Sequence, residues 1–352
     1  MKKRLTARVI AASVVSALTV LAVVAASPAQ PLGKASQSRS LSHIVLGLPG
    51  IPPVFLGVRP YVAQQRGYYK KWGADVELKG FTTGTDALRA VQAGQIDLAW
   101  APTPTTLSLM AKGAPLVGIE GMDVVDWEVG SIDSSVKTCA DLKGQTIGVD
   151  TIGGARYAAL QAMLTKCKLD IKDVKTVNFP GAASMQAMIA GTLKVSVLHI
   201  DEQAQIEQVG HKTVYINAKL TDVDPYQHYD MLVSTRDGVK NHYYDYVHLL
   251  AGDIAATRYM YNPKSIDAIA KIATVTGDTE EISKQALQAY IKMHWWPLDK
   301  SGLGQGRITR TIGLNVKLGN ISPSANLTWK DVVDTRMWKA AFALVNKGKK
   351  KT

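Results

Sequence analysis

Gly84-Thr-Asp-Ala-Leu-Arg-Ala-Val-Gln-Ala-Gly94 and Gly181-Ala-Ala-Ser-Met-Gln-Ala-Met-Ile-Ala-Gly191 follow one pattern, written twice about a hundred residues apart. Each opens on glycine, runs through small residues into an apolar stripe at helical spacing, and closes on glycine. Each follows a strand-like run ending in phenylalanine, Phe81 or Phe179. Each leads into another strand-like run, Ile96-Asp-Leu-Ala-Trp100 or Leu193-Lys-Val-Ser-Val-Leu198. Two similar α/β halves imply two lobes with a cleft between them, where ligands are favoured.

Working outward, residues 43–48 read as a strand broken by Gly50-Ile-Pro-Pro53. A helix over 55–66 is closed by Gly67, and residues 75–79 alternate polar and apolar as a half-buried strand does. Thr83 is placed to cap the next helix. A strand over 96–101 meets Pro102-Thr-Pro-Thr-Thr106, which opens a helix ending at Gly113. The second half repeats the order: strand 146–149, loop Asp150-Thr-Ile-Gly-Gly154, helix 155–168, strand 175–178, then the Gly181 helix and its strand. Such βαβ alternation predicts mainly parallel sheets flanked by helices. After Tyr229 the pattern turns helical, over 243–261, 265–276 and 279–294. Thr328-Trp-Lys-Asp331 reads as a capping box before a last helical run to Val345.

The chain has 352 residues, enough for about two domains, and 46% of them are hydrophobic, as in ordinary globular proteins. Its net charge of +12 is concentrated at the ends, at Lys2, Lys3, Arg4 and Arg8 and at Lys349, Lys350 and Lys351. No basic helix or aromatic-basic interleaving supports nucleic-acid binding. Residues 1–29 read as a secretory signal peptide: a basic start, an alanine-rich apolar run over 9–26, and small residues permitting cleavage after Ala26 or Ala29. No cysteine lies there to carry a lipid anchor, so the expected product is periplasmic. Cys139 and Cys167 then face an oxidising compartment. A helix returning antiparallel to strand 146–149 would bring Cys167 back to Cys139, so a disulfide is expected.

Pro60-Tyr-Val-Ala-Gln-Gln-Arg-Gly-Tyr-Tyr-Lys-Lys-Trp-Gly-Ala-Asp-Val-Glu-Leu78, the stretch from Gly84 to Ala101, and Ala140-Asp-Leu-Lys-Gly-Gln-Thr-Ile-Gly-Val149 resemble the substrate-binding proteins of ABC importers. The nearest group is the nitrate/taurine/alkanesulfonate and thiamine-precursor class. The likeness covers roughly residues 44–233, with a further echo over 327–333. It implies the two-lobe periplasmic binding protein fold of type II, with two crossing strands near 124–131 and 230–234. Lobe 1 would comprise 42–128 and 231–352, and lobe 2 would comprise 129–230. The partners implied are a small-molecule ligand and a membrane permease with its ATPase; the protein would act as a monomer. One departure is Lys194, where the family carries an acid like Asp97; that position should lie on the outer surface.

In such sheets ligands sit beyond the carboxyl ends of the strands, where helix N-termini favour anions. The candidate contacts are therefore Pro49 and Pro53, then Thr83, Gly84 and Thr85, then Pro102 and Thr103, then Thr151, Gly154, Ala155 and Arg156, and finally His199 and Asp201 with Glu202. The threonines could equally be plain caps, Arg156 a surface ion pair, His199 a packed core group, and the acids solvent-facing. Trp127 would wall the cleft, and Trp295 with Trp296 would pack a lobe. The favoured ligand is a small organic anion, a sulfonate or carboxylate, possibly aromatic. The alternative is a pyrimidine, or an enzyme like the thiamine-pyrimidine synthases. Those carry a cysteine-rich iron motif, whereas two separated cysteines occur here. The seven histidines lack zinc spacing, Gly302-Leu-Gly-Gln-Gly306 reads as a loop, and no catalytic residue or cofactor is expected.

Overall fold

Ten strands and fifteen helices alternate through residues 42–349, which the computed structural model describes. The expected signal peptide over 1–29, and Lys350 and Lys351, lie outside the described residues. In chain order, β1 (His43–Pro49), α1 (Val58–Gln65), α2 (Tyr68–Trp72), β2 (Asp75–Phe81), α3 (Gly84–Gln92), β3 (Leu98–Pro102), α4 (Thr103–Ala111) and β4 (Leu116–Met122) come first. There follow β5 (Glu128–Ser131), β6 (Thr146–Val149), α5 (Ala155–Lys166), β7 (Lys175–Asn178), α6 (Ala183–Ile189), β8 (Val195–Leu198), α7 (Ile200–Gln208), β9 (Tyr215–Lys219) and α8 (Leu220–Val223). The chain ends with β10 (Asp230–Thr235), α9 (Arg236–Asn241), α10 (Tyr243–Met260), α11 (Ile266–Ala273), α12 (Glu280–Lys292), α13 (Gln305–Lys317), α14 (Trp329–Val332) and α15 (Arg336–Lys349).

The strands form two five-stranded sheets of matching order, β2-β1-β3-β10-β4 and β7-β6-β8-β5-β9. The repeated phrase occupies equivalent places in both, as α3 and α6. Gly94 and Gly191 close those helices at φ +69° and +77°, the left-handed conformation that a Cβ disfavours. Each sheet is mixed. β1, β2 and β3 are parallel, as are β6, β7 and β8, while β10 and β5 run antiparallel to their neighbours. The exceptions follow from the crossings. β4 leaves the first sheet and the next strand, β5, enters the second; β9 leaves the second and β10 enters the first. A strand that enters from the cleft side must run against strands that end there.

Local signals hold where the chemistry is specific. The Thr83 hydroxyl accepts from Asp86 N at 3.1 Å and caps α3, and Thr328 with Asp331 forms the capping box of α14. Cys139 and Cys167 are joined in a disulfide, with Cα atoms 5.3 Å apart. Trp295 and Trp296 are buried against Tyr290. Lys194 is exposed and Asp97 half-buried, where its carboxylate accepts from Val45 N at 2.8 Å. The loop expected over 302–306 gives way at Gln305 to α13, a thirteen-residue helix that spacing alone did not announce.

Beneath the first sheet, buried Arg59 donates to both Glu120 oxygens at 3.1 and 2.7 Å, with Asp253 at 3.8 Å. One guanidinium faces two carboxyls, and burial raises both acids above their ordinary range. Burial also lifts Glu128 to about 7, although Lys219 opposes it. A raised carboxyl holds its proton more tightly folded than unfolded. Its stabilisation is complete below the unfolded pKa and disappears as pH rises through the folded one. For Glu128 the window runs from 4.5 to about 7. Each such group contributes a slope of at most about 1.4 kcal/mol per pH unit. Calorimetry at constant ionic strength should therefore find a lower melting temperature at pH 8 than at pH 6, and Glu128→Gln should flatten part of that fall. A midpoint higher at pH 8 contradicts the assignment.

Candidate ligand-binding cleft

The carboxyl ends of β1, β3, β6 and β8 converge on one narrow cavity with about 40 Å³ of space for solvent. Pro49, Gly50, Val54, Thr82, Thr83, Gly84 and Pro102 line it from the first sheet's loops. Asp150, Ala155, Arg156, Gly181 and His199 line it from the second's. Trp127, Tyr229 and Asp230 line it from the connections between the sheets.

Of the sequence candidates, Pro49, Thr83, Gly84, Pro102, Trp127, Ala155, Arg156 and His199 are brought together here. The others are not among the lining residues. Thr103 is buried, with its hydroxyl 2.7 Å from His228 Nδ1. Thr85 is buried beside the cap. Pro53 stands before a short 3-10 turn, and Thr151 N and Gly154 pack around the Asp150 carboxylate. Asp201 is buried away from the cavity, with its Oδ1 2.8 Å from Tyr290 Oη. These departures share a cause: loops that carry strand ends into helices also need caps, and a short polar side chain satisfies the nearest orphan N–H first.

Two of the three expected anion anchors, Arg156 and the start of α5, are already engaged, while the third, the start of α3 at Gly84, lines the cavity. Arg156 is 3% exposed; its Nη1 and Nη2 donate to Glu202 at 2.8 and 2.6 Å, and Nη1 also to Val197 O at 2.5 Å. Burial alone would push the Glu202 carboxyl up, but the Arg156 guanidinium holds it below its usual value. The start of α5 is occupied by Asp150, which accepts from Ala155 N at 3.0 Å and Arg156 N at 3.1 Å. His199 packs its ring 4.0 Å from that of Trp127 and contacts Asp126 through Nδ1 at 2.9 Å. Burial opposes the imidazolium, but the Asp126 carboxylate raises it to about 9.

Further hydrogen bonds join distant segments away from the cavity lining. Tyr290 Oη lies 2.7 Å from Asp126 Oδ2 and 2.8 Å from Asp201 Oδ1. A phenol has one proton, so it donates to one carboxyl and accepts from the other, which must be protonated. Burial, then Asp278, raise Asp201 to about 7. Gln205 donates to Asp278 beside this pair. At another point Asn320 Nδ2 donates to Gln161 Oε1 at 3.3 Å.

Sequence reasoning passed over Asp150, Tyr229 and Asp230. Asp150 and Asp230 stand at strand boundaries and could have been found by listing every acid at a strand end. Tyr229 carried no such signal, because its role depends on Trp127 and Trp295 reaching it in space, at ring distances of 6.0 and 5.5 Å.

Among solved structures, the nitrate-binding protein NrtA of Synechocystis superposes with a TM-score of 0.71 at 15% identity, covering 87% of this chain and 89% of that one. The alkanesulfonate-binding protein SsuA of Xanthomonas axonopodis pv. citri gives a TM-score of 0.67 at 17% identity, covering 83% and 98%. Both have the periplasmic binding protein fold and belong with proteins that bind rather than transform. A Haemophilus influenzae protein described as a thiamine biosynthesis protein is 31% identical over 119 residues, 33% of this chain and 38% of that relative. The match thus spans under half of the curated relative's length. The profile described as NMT1/THI5 like matches residues 55–264, more than half of the sequence. The chain belongs to the NMT1/THI5-like family.

Proposed function

We propose that this protein is the extracytoplasmic solute-binding component of an ABC importer. It captures a small organic molecule between two lobes, residues 42–128 with 231–352 and residues 129–230, and delivers it to a membrane permease with its ATPase. In this reading it is exported on residues 1–29, carries no lipid anchor and works as a monomer. The observation that carries the proposal is the cavity at the facing carboxyl ends of two sheets of the same strand order. The bonds Tyr290–Asp201 and Asn320–Gln161 then belong to the closed arrangement and break when the lobes part.

A receptor is preferred to an enzyme because the solved structures named above are binding proteins. An organic anion was the first ligand candidate, with a pyrimidine as its alternative. The anion reading rests on the starts of α3 and α5 and on Arg156; Glu202 and Asp150 engage Arg156 and the α5 start, and the α3 start at Gly84 still lines the cavity. A thermal-shift screen of small organic solutes tests the function. A cognate solute at a hundredfold excess over its Kd should stabilise the fold by about 2.7 kcal/mol. Failure of every solute to shift the melting temperature, with no small molecule released from protein purified without denaturation, would sink it.

A further inference from the structure

We propose that the cleft selects a small, flat organic ligand bearing a protonated or N–H-rich nitrogen, and that Asp230 is the group that holds it. The inference rests on the receptor reading and names its ligand class. Asp230 opens β10 at the crossing, is 3% exposed and lines the cavity. Among the described residues, neither a hydrogen bond nor an ion pair reaches its carboxyl. A buried carboxyl without a partner is costly, and a ligand donor is the natural compensation.

The surrounding charges point the same way. The two cations of the cleft are matched, Arg156 by Glu202 at 2.6 Å and His199 by Asp126 at 2.9 Å. Asp150 is matched by the backbone donors of α5. Once Glu202 and Asp126 behind the lining are counted, Asp230 is the carboxyl left over. Tyr229, next to Asp230 in sequence, and Trp127, whose ring already carries Arg156 at 5.3 Å and His199 at 4.0 Å, give the cavity its aromatic wall. Burial raises Asp230 to about 8, with His199 opposing and Asp126 adding to the rise. At pH 6 the acid is protonated, and taking up a cation must release that proton. The other ionisable groups facing it are Asp126, Asp150, Arg156, His199, Glu202 and Tyr229. His199 lies charged and Glu202 ionised throughout pH 6–8, so the proton released belongs to Asp230 or its acidic neighbours.

The test compares planar probes of matched size by calorimetry: benzamidinium and 4-aminopyridinium against benzoate and benzenesulfonate. At least one cation should bind saturably, more tightly at pH 8 than at pH 6, and neither anion should compete with it. Asp230→Asn should weaken that cation by roughly 10- to 100-fold while leaving the melting temperature of the ligand-free protein equal or higher. The asparagine variant also separates binding from folding, since it keeps shape while removing an unpaired acid. Binding by an anion alone would overturn the cation assignment and leave the receptor reading standing. Cation binding unchanged in Asp230→Asn would remove Asp230 as the anchor. If neither cation binds, the ligand class assigned here is wrong.

Discussion

Replacing Glu202 with alanine is expected to cost the fold about 3–5 kcal/mol, the usual penalty for leaving a buried charge without its partner. Glu202 is 4% exposed and holds both terminal nitrogens of Arg156. Its Oε2 also accepts from His199 N at 3.0 Å, closing the first turn of α7. The alanine variant therefore strands a guanidinium in a site of low dielectric and frees a helix donor at once. Domains are typically stable by only 5–15 kcal/mol, so a loss of this size should be visible as a large drop in the denaturant midpoint. Glu202→Gln should lose less, because the amide oxygen can still accept one Arg156 bond. A midpoint for the alanine variant within error of the parent would mean that Arg156 reaches water, and the cleft would then hold a free cation after all.

Breaking the disulfide should cost nearly as much. Cys139 and Cys167 lie 28 residues apart in sequence. Closing a loop of that length restricts the unfolded chain enough to stabilise the fold by about 3.5 kcal/mol on the chain-entropy account. The bridge ties the turn before β6 to the end of α5, far along that helix from the Arg156 end that lines the cavity. A double serine variant should thus unfold at clearly lower denaturant and keep its ligand affinity. Complete alkylation of the exported protein without reductant, or a midpoint indifferent to reductant, would contradict the assignment.

The fold was legible because its signals are local and occur twice. Gly94 and Gly191, the cap at Thr83 and the box at Thr328–Asp331 each need one backbone geometry, and each found it. The antiparallel β5 and β10 were harder. Their direction is set by which sheet the chain leaves, and their composition does not report it. The cleft was legible as a place, since strand ends announce it, and eight of the fifteen candidates line it. Its charge was not legible. Arg156 and Glu202 are 46 residues apart, and Asp126 and His199 are 73 apart. Pairings at such separation decide whether a cation is free to meet an anion, and single-residue reasoning treats each as free. The same limit hid Asp230, whose proposed role rests on its carboxyl having no partner among the described residues.

Small-angle scattering of the protein with and without a saturating solute from the thermal-shift screen addresses closure on a ligand most directly. On the proposed two-lobe reading the bonds Tyr290–Asp201 and Asn320–Gln161 belong to the closed arrangement, so the ligand-free protein should be on average more open, and hinge closure should reduce its radius of gyration. Tyr290→Phe should shift the ligand-free curve further toward the open form. Superimposable curves with and without a solute that demonstrably binds would contradict a two-lobe receptor that closes on its cargo.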